Sequence, residues 1–157
     1  MTDLSTWEHA SFDATIDHIL QRYHQVHRNQ FEELVPLAEK VATVHAGSFP
    51  AEVAGLLAEM QAELLSHMMK EERMLFPMVK QGIGKGAAMP ISVMMHEHDD
   101  HQQAIDRLKA LTDNFQAPEN ACRSWQRLYQ LAEEMVNDLS DHIRLENDIL
   151  FQRVLAS

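Results

Sequence analysis

Cysteine occurs once in the chain, at Cys122. A single thiol excludes an internal disulfide, a cysteine-only metal site and an iron–sulfur cluster held within one chain. A lone cysteine in a helical pattern reads as a small buried apolar residue. Basic residues are also few: 13 Lys and Arg stand against 24 Asp and Glu, a formal net charge of −11. Such a surface repels polyanions, which argues against nucleic acid and anionic lipid as partners and favours cations. No apolar run approaches the roughly 20 residues of a membrane span. The first ten residues lack the basic segment and apolar core of a signal peptide, so a cytoplasmic location is expected. A chain of 157 residues fits about one domain.

Glycine and proline are sparse and clustered. Gly47-Ser48-Phe49-Pro50, the glycine-rich stretch from Gly82 to Pro90, and Asn114 to Pro118 form three breaks. Between them apolar residues recur at spacings of three and four, the signature of amphipathic helices. Ile16, Ile19, Tyr23, Phe31, Leu34 and Ala38 make one such stripe, and Trp125, Leu128, Leu131, Met135 and Leu139 another. Ser11 is a candidate N-cap, and Pro50, Pro90 and Pro118 fall where a first helical turn tolerates proline. Pro36 and Pro77 lie inside helical patterns and are expected to kink or end their helices. No segment alternates as a strand does. The expectation is an all-α, up-down-up-down four-helix bundle forming one domain over 1–157, with helices at about 11–45, 50–81, 90–114 and 118–155.

Histidine, by contrast, is abundant, with ten in the chain, and its placement repeats. His67-Met-Met-Lys-Glu71, followed by Leu75, Phe76 and Val79, reappears 75 residues later as His142-Ile-Arg-Leu-Glu146, followed by Leu150, Phe151 and Val154. His24-x-x-His27 reappears 74 residues later as His98-x-x-His101. The first helical hairpin therefore resembles the second, with matching polar groups aimed at one centre.

His and Glu four residues apart lie on one helical face, one turn above the other, so both can reach a single metal. Imidazole with carboxylate suits iron, manganese or zinc rather than calcium or magnesium. Two Glu on opposed helices can bridge two metals, and one His per helix supplies four terminal ligands. The candidate ligands are thus His24, His67, Glu71, His98, His142 and Glu146. A single such pair is commonplace on a helix surface. Two in register among large apolar residues are not, because a buried carboxylate needs a cation or donors.

His45 is excluded on depth: it follows His24 by 21 residues, roughly 30 Å along a continuous helix. His27 and His101 are expected beside the metals rather than on them. Glu63 and Glu97 could place carboxylates near the metals without binding them, and His96 reads as a neighbour of the site. His9 and His18 read as surface residues, and Met68, Met69, Met94 and Met95 as core filler.

Ile16-Asp-His-Ile-Leu-Gln-Arg-Tyr-His24, Ser66-His-Met-Met-Lys-Glu-Glu72, Glu97-His98-Asp99 and Asp141-His-Ile-Arg-Leu-Glu-Asn147 resemble the hemerythrin-like domain of the bacterial iron–sulfur cluster repair di-iron proteins, also called repair of iron centres proteins. The resemblance covers nearly the whole chain. It implies a hemerythrin-like bundle holding two non-haem iron ions, bridged by Glu71, Glu146 and an oxo or hydroxo group. It also implies repair of iron–sulfur clusters damaged by nitrosative or oxidative stress through iron donation, with damaged or apo iron–sulfur proteins as partners. The alternatives are a hemerythrin-type protein that binds or senses oxygen or nitric oxide, and a di-iron nitric oxide or peroxide reductase. Family members usually carry a further small N-terminal domain with a cysteine pair. No such pair occurs in these residues, so functions needing those thiols are not expected of them.

Overall fold

The computed structural model describes residues 1–157. Four long helices are joined by short connections. Helix α1 covers 12–44, as Phe12–His18, a π segment Ile19–His24 and Gln25–Val44. Helix α2 covers 53–80, as Val53–Lys70, a π segment Glu71–Leu75 and Phe76–Lys80. Helix α3 is Ala88–Leu111, and α4 covers 123–156, as Arg123–Arg144, a π segment Leu145–Leu150 and Phe151–Ala156. Each helix contacts the next and α4 closes back on α1, giving the expected four-helix bundle. No helix is long and apolar enough to cross a membrane.

Several helix ends follow local chemistry. The Ser11 hydroxyl accepts the Ala14 N–H at 3.0 Å and caps α1. Pro90 sits in the first turn of α3. Pro36 neither ends α1 nor interrupts Gln25–Val44. It and Glu32 lie on the exposed face, where a carbonyl that has lost its donor can be hydrated. Pro77 stands at the exit of the π segment of α2, at the start of a new α segment where its missing N–H costs least.

Two expected starts shift. Helix α2 begins at Val53, with Pro50 in the turn before it, and α4 begins at Arg123 rather than near Pro118. The later start of α4 is set by Cys122, whose sulfur accepts the Trp125 N–H at 3.4 Å. Cys122 is thus half-buried, packing against the apolar core as well as capping a helix. Before it, Asp113, Asn114 and Phe115 all take positive φ, which ends α3 at Leu111.

The three π segments were not legible in the apolar spacing. In each, the N–H just past the segment donates to a carbonyl five residues back: Gln25 to Leu20, Phe76 to Glu71, and Phe151 to Glu146. Those in α2 and α4 occupy equivalent places in the internal repeat, and each includes a candidate bridging glutamate. Single π turns of this kind concentrate at functional sites.

The interior has two apolar clusters. One contains Phe31, Leu34, Leu57, Leu64, Ile105, Leu108, Leu128 and Leu139. The other contains Ile16, Ile19, Leu75, Phe76, Ile91, Leu150 and Phe151. Full burial of each such side chain contributes about 1.5–3 kcal/mol. Of the four methionines expected in the core, Met68 and Met94 are buried, Met95 is half-buried and Met69 is exposed. The buried polar residues His24, His27, His67, Glu71, His98, His101, His142 and Glu146 belong to neither cluster and make a polar band in the helices that carry both.

The cap predicts a measurable cost. Cys122→Ala is expected to lower stability by about 1 kcal/mol through loss of the cap acceptor, whereas Cys122→Ser should retain it. Urea unfolding of the two variants checks this, and equal losses would remove the capping role.

Candidate metal centre

Each helix contributes to one polar focus. Helix α1 supplies His24, α2 supplies His67 and Glu71, α3 supplies His98, and α4 supplies His142 and Glu146. All six are at most 2% exposed. They form two overlapping quartets, His24–Glu71–His142–Glu146 and His67–Glu71–His98–Glu146. Within each, one donor atom per residue lies within 4.8 Å of every other. Both carboxylates belong to both quartets.

The close contacts all involve the Nε2 atoms. His24 Nε2 lies 3.0 Å from Glu71 Oε1, and His67 Nε2 lies 3.5 Å from the same oxygen. His98 Nε2 lies 2.9 Å from Glu146 Oε1, and His142 Nε2 lies 3.1 Å from Glu146 Oε2. Nε2 atoms of His67 and His98 approach each other to 3.1 Å. Glu71 Oε2 is buried without a hydrogen-bonding partner, and Glu146 Oε1 has only His98 Nε2, 2.9 Å away. Ring nitrogens and carboxylate oxygens thus converge on shared points, where His24 pairs with Glu71 and His142 with Glu146. A buried orphaned carboxylate oxygen is expensive, and a cation at the shared point would satisfy it.

The outer nitrogen of every imidazole is held. His24 Nδ1 lies 2.6 Å from Glu72, which Arg28 grips through both oxygens at 3.0 and 2.9 Å. His67 Nδ1 lies 3.0 Å from Glu97, which Lys70 binds at 2.7 Å. His98 Nδ1 lies 2.6 Å from the Asn147 side-chain oxygen, and His142 Nδ1 lies 3.1 Å from His27 Nε2. Behind His27 a chain continues through Gln30 and Asp138 to Arg22. Partners of this kind fix the tautomer and ring orientation of metal-binding histidines and leave Nε2 free to coordinate.

Charge follows the same plan. Burial opposes protonation of His24, but hydrogen bonds to Glu71 and Glu72 outweigh it and push its pKa up to about 9. Burial likewise opposes protonation of His67, and the charge of Glu71 carries it up to about 9. His98 is raised too, where its hydrogen bond to Glu146 overcomes burial. Burial alone would raise the Glu146 carboxyl, but the hydrogen bond from His98 brings it below its ordinary value. His142 is driven well below the ordinary value, by burial first and then by the charge of His24. Burial takes His27 and His101 down to about 3, reinforced at His101 by the charge of His67. Without metal, the protonated imidazoles therefore supply the positive charge that the two carboxylates demand.

The other candidates fall in different places. Glu97 and His27 hold ligand-position histidines, as described, and His101 packs edge-on to His67 with ring centroids 4.8 Å apart. Glu63 makes no hydrogen bond and lies on the exposed face of α2, one turn before His67. His96 and His9 are exposed, whereas His18 is half-covered by Trp7, stacked at 4.1 Å. His45 ends α1, with Nε2 3.1 Å from Cys122 Sγ and its ring 5.3 Å from Trp125, among side chains of the first apolar cluster. Sequence reasoning missed Glu72 and Asn147. Both directly follow the repeated glutamates and share their 75-residue offset, so the repeat carried the signal.

A helical bundle with paired imidazole–carboxylate quartets sharing two buried glutamates is the architecture of a cation-binding four-helix protein. The chain belongs to the hemerythrin family, described as the Hemerythrin HHE cation binding domain, which matches residues 15–154. It is 74% identical to the iron-sulfur cluster repair protein DnrN of Neisseria gonorrhoeae over 157 residues, the full length of both chains. It is 47% identical to the iron-sulfur cluster repair protein YtfE of Enterobacter sp. over 152 residues, 96% of this chain and 69% of that one. The YtfE of Citrobacter koseri is 48% identical over the same shares.

These charge states predict the pH profile of the metal-free protein. His24 and His67 gain pKa on folding, so their stabilisation is complete below about 6.5 and is lost as pH rises towards 9. His27 and His101 lose pKa on folding, so acidification from about 6.5 towards 3 protonates only the unfolded chain and destabilises the fold. Stability of the metal-free protein should therefore peak near pH 6.5. Chemical denaturation at a series of pH values checks it, and a steady rise from pH 5 to 9 would contradict the assignment.

Proposed function

We propose that the chain is a di-iron protein that helps repair damaged iron–sulfur clusters by donating iron. On this reading His24 and His142 hold one iron, His67 and His98 hold the other, and Glu71 and Glu146 bridge them. The observation that carries it is the sharing of both buried carboxylates by two histidine pairs. Two quartets offer two cation positions, and a cation-free core leaves Glu71 Oε2 buried without a partner. Imidazole–carboxylate sets suit iron, which is here the cargo. The relatives named iron-sulfur cluster repair proteins supply the purpose.

What the chain's own residues do follows from the geometry. The Nδ1 partners Glu72, Glu97, Asn147 and His27 orient four rings before iron arrives. Protons leave His24, His67 and His98 as iron binds, so loading strengthens with rising pH and release is favoured by acid. His27 and His101 stand behind the focus, so four histidines face it. An oxygen carrier of hemerythrin type usually has five, and the smaller set supports a more open, more labile centre.

Purified protein loaded anaerobically is expected to hold two irons per chain, read by metal analysis. Glu71→Ala or Glu146→Ala should lose at least one of them, and His45→Ala should leave the content unchanged. Mixing the loaded protein with an apo iron–sulfur protein, a sulfur source and a reductant should build clusters. An iron content of one or less, or a stable oxygen adduct with no iron transfer, would overturn the reading.

A further inference from the structure

The outer nitrogens of His24, His67 and His98 each face an oxygen, of Glu72, Glu97 and Asn147 in turn. His142 differs. Its Nδ1 faces another imidazole, that of His27, at 3.1 Å. A neutral imidazole donates from one nitrogen and accepts at the other, so His27 by itself does not decide which ring donates. The next group is equally two-sided: His27 Nδ1 lies 3.3 Å from Oε1 of Gln30, whose amide can present either end. Direction enters only at the far end. Gln30 Nε2 donates to Asp138 Oδ2 at 2.8 Å, and Arg22 donates to Asp138 Oδ1 at 2.9 Å. A carboxylate only accepts and a guanidinium only donates.

From Asp138 inward each link then has one arrangement. Gln30 gives its NH2 to the carboxylate, so its oxygen faces His27. His27 carries its proton on Nδ1 and offers the Nε2 lone pair. His142 donates to that lone pair from Nδ1, which leaves its own Nε2 bare on the side of the focus. The reverse arrangement would set the Gln30 oxygen against Asp138 Oδ2, two acceptors 2.8 Å apart. Gln30 and Asp138 are only 6% and 8% exposed, so water does not readily relieve that clash. Glu146 Oε2, 3.1 Å from His142 Nε2, pulls the same proton the other way, and the chain opposes it.

The internal repeat supplies a control. The counterparts of His27, Gln30 and Asp138 are His101, Ala104 and Glu63. The amide link is missing at Ala104, and His101 Nδ1 is buried without a partner. His67, the counterpart of His142, needs no such chain, because its Nδ1 meets Glu97 directly.

We propose that Arg22, Asp138, Gln30 and His27 form a tautomer relay, in which Arg22 and Asp138 are positioning residues that hold the His142 proton on Nδ1 and keep Nε2 open for iron. The inference rests on the di-iron reading above for the identity of the ion. No proton is gained or lost along the relay; only its placement is set.

The test compares wild type, Asp138→Asn and the double variant Gln30→Glu/Asp138→Asn, each as the full chain. In Asp138→Asn, Arg22 claims the side-chain oxygen, so the new NH2 faces Gln30 and reverses every link inward. In the double variant the carboxylate introduced at position 30 accepts from both sides, and the original direction returns. Nitrogen NMR of the histidine rings in the metal-free proteins should show the Nδ1–H share of His142 falling in Asp138→Asn and recovering in the double variant. Anaerobic dialysis against ferrous iron alone should show two tight irons in wild type, one of them weakened by about 10–100-fold in Asp138→Asn, and both tight again in the double variant. A merely structural loss at Asp138 would not be repaired by a second buried substitution. The single variant is nearly isosteric and tests the relay by itself if the double variant fails to fold. An unchanged tautomer in Asp138→Asn, iron held there as in wild type, or no recovery in a folded double variant would overturn the relay and leave the di-iron reading standing. Fewer than two tight irons in wild type would overturn that reading, with the NMR comparison still deciding the relay.

Discussion

Two carboxylates, Glu71 and Glu146, are buried at the centre of a bundle, in a polar band between two apolar clusters. Bringing like charges together out of water is the most expensive feature of this fold. Much of the surrounding structure answers that cost. Four imidazoles surround the pair, three of them drawn towards the protonated state when no metal is present. A divalent cation does the same work with more charge in less space. The metal-free fold is therefore a proton-compensated form of the arrangement that metal would complete.

Holding six donors on one focus constrains the backbone as well as the side chains. A regular α-helix spaces its faces evenly and cannot turn every polar residue inward while keeping the apolar stripe continuous on both sides. Three of the four helices place a π turn at the candidate residues: at His24, Glu71 and Glu146. Only α3, which supplies a single imidazole, stays regular over the whole of Ala88–Leu111.

Much of this was legible because the constraint is repeated. The 75-residue offset of His67–Glu71 and His142–Glu146, with the 74-residue offset of His24 and His98, identified the six central residues, and three-and-four spacing located the helices. What escaped has physical reasons. An apolar pattern averages over a single π turn, so the bulges leave no clear trace in periodicity. Cys122 resembled a core residue because its role depends on one backbone N–H, that of Trp125, which composition does not reveal. Glu72 and Asn147 were hidden by chemistry rather than position, since an exposed-looking polar residue after a buried one is ordinary on a helix.

The repeat is also informative where it breaks. Tyr23 and His27 on α1 correspond by the 74-residue offset to Glu97 and His101 on α3. On the α1 side Tyr23 stacks on His142 at 5.2 Å, and His27 takes the outer nitrogen of that ring. On the α3 side the roles are exchanged, with Glu97 taking the outer nitrogen of His67 and His101 lying unbonded at its edge. One half is therefore sealed by aromatic rings and a buried chain from Gln30 to Asp138. The other is walled by a carboxylate that faces an acidic opening. A symmetric scaffold has thus acquired one closed and one accessible flank.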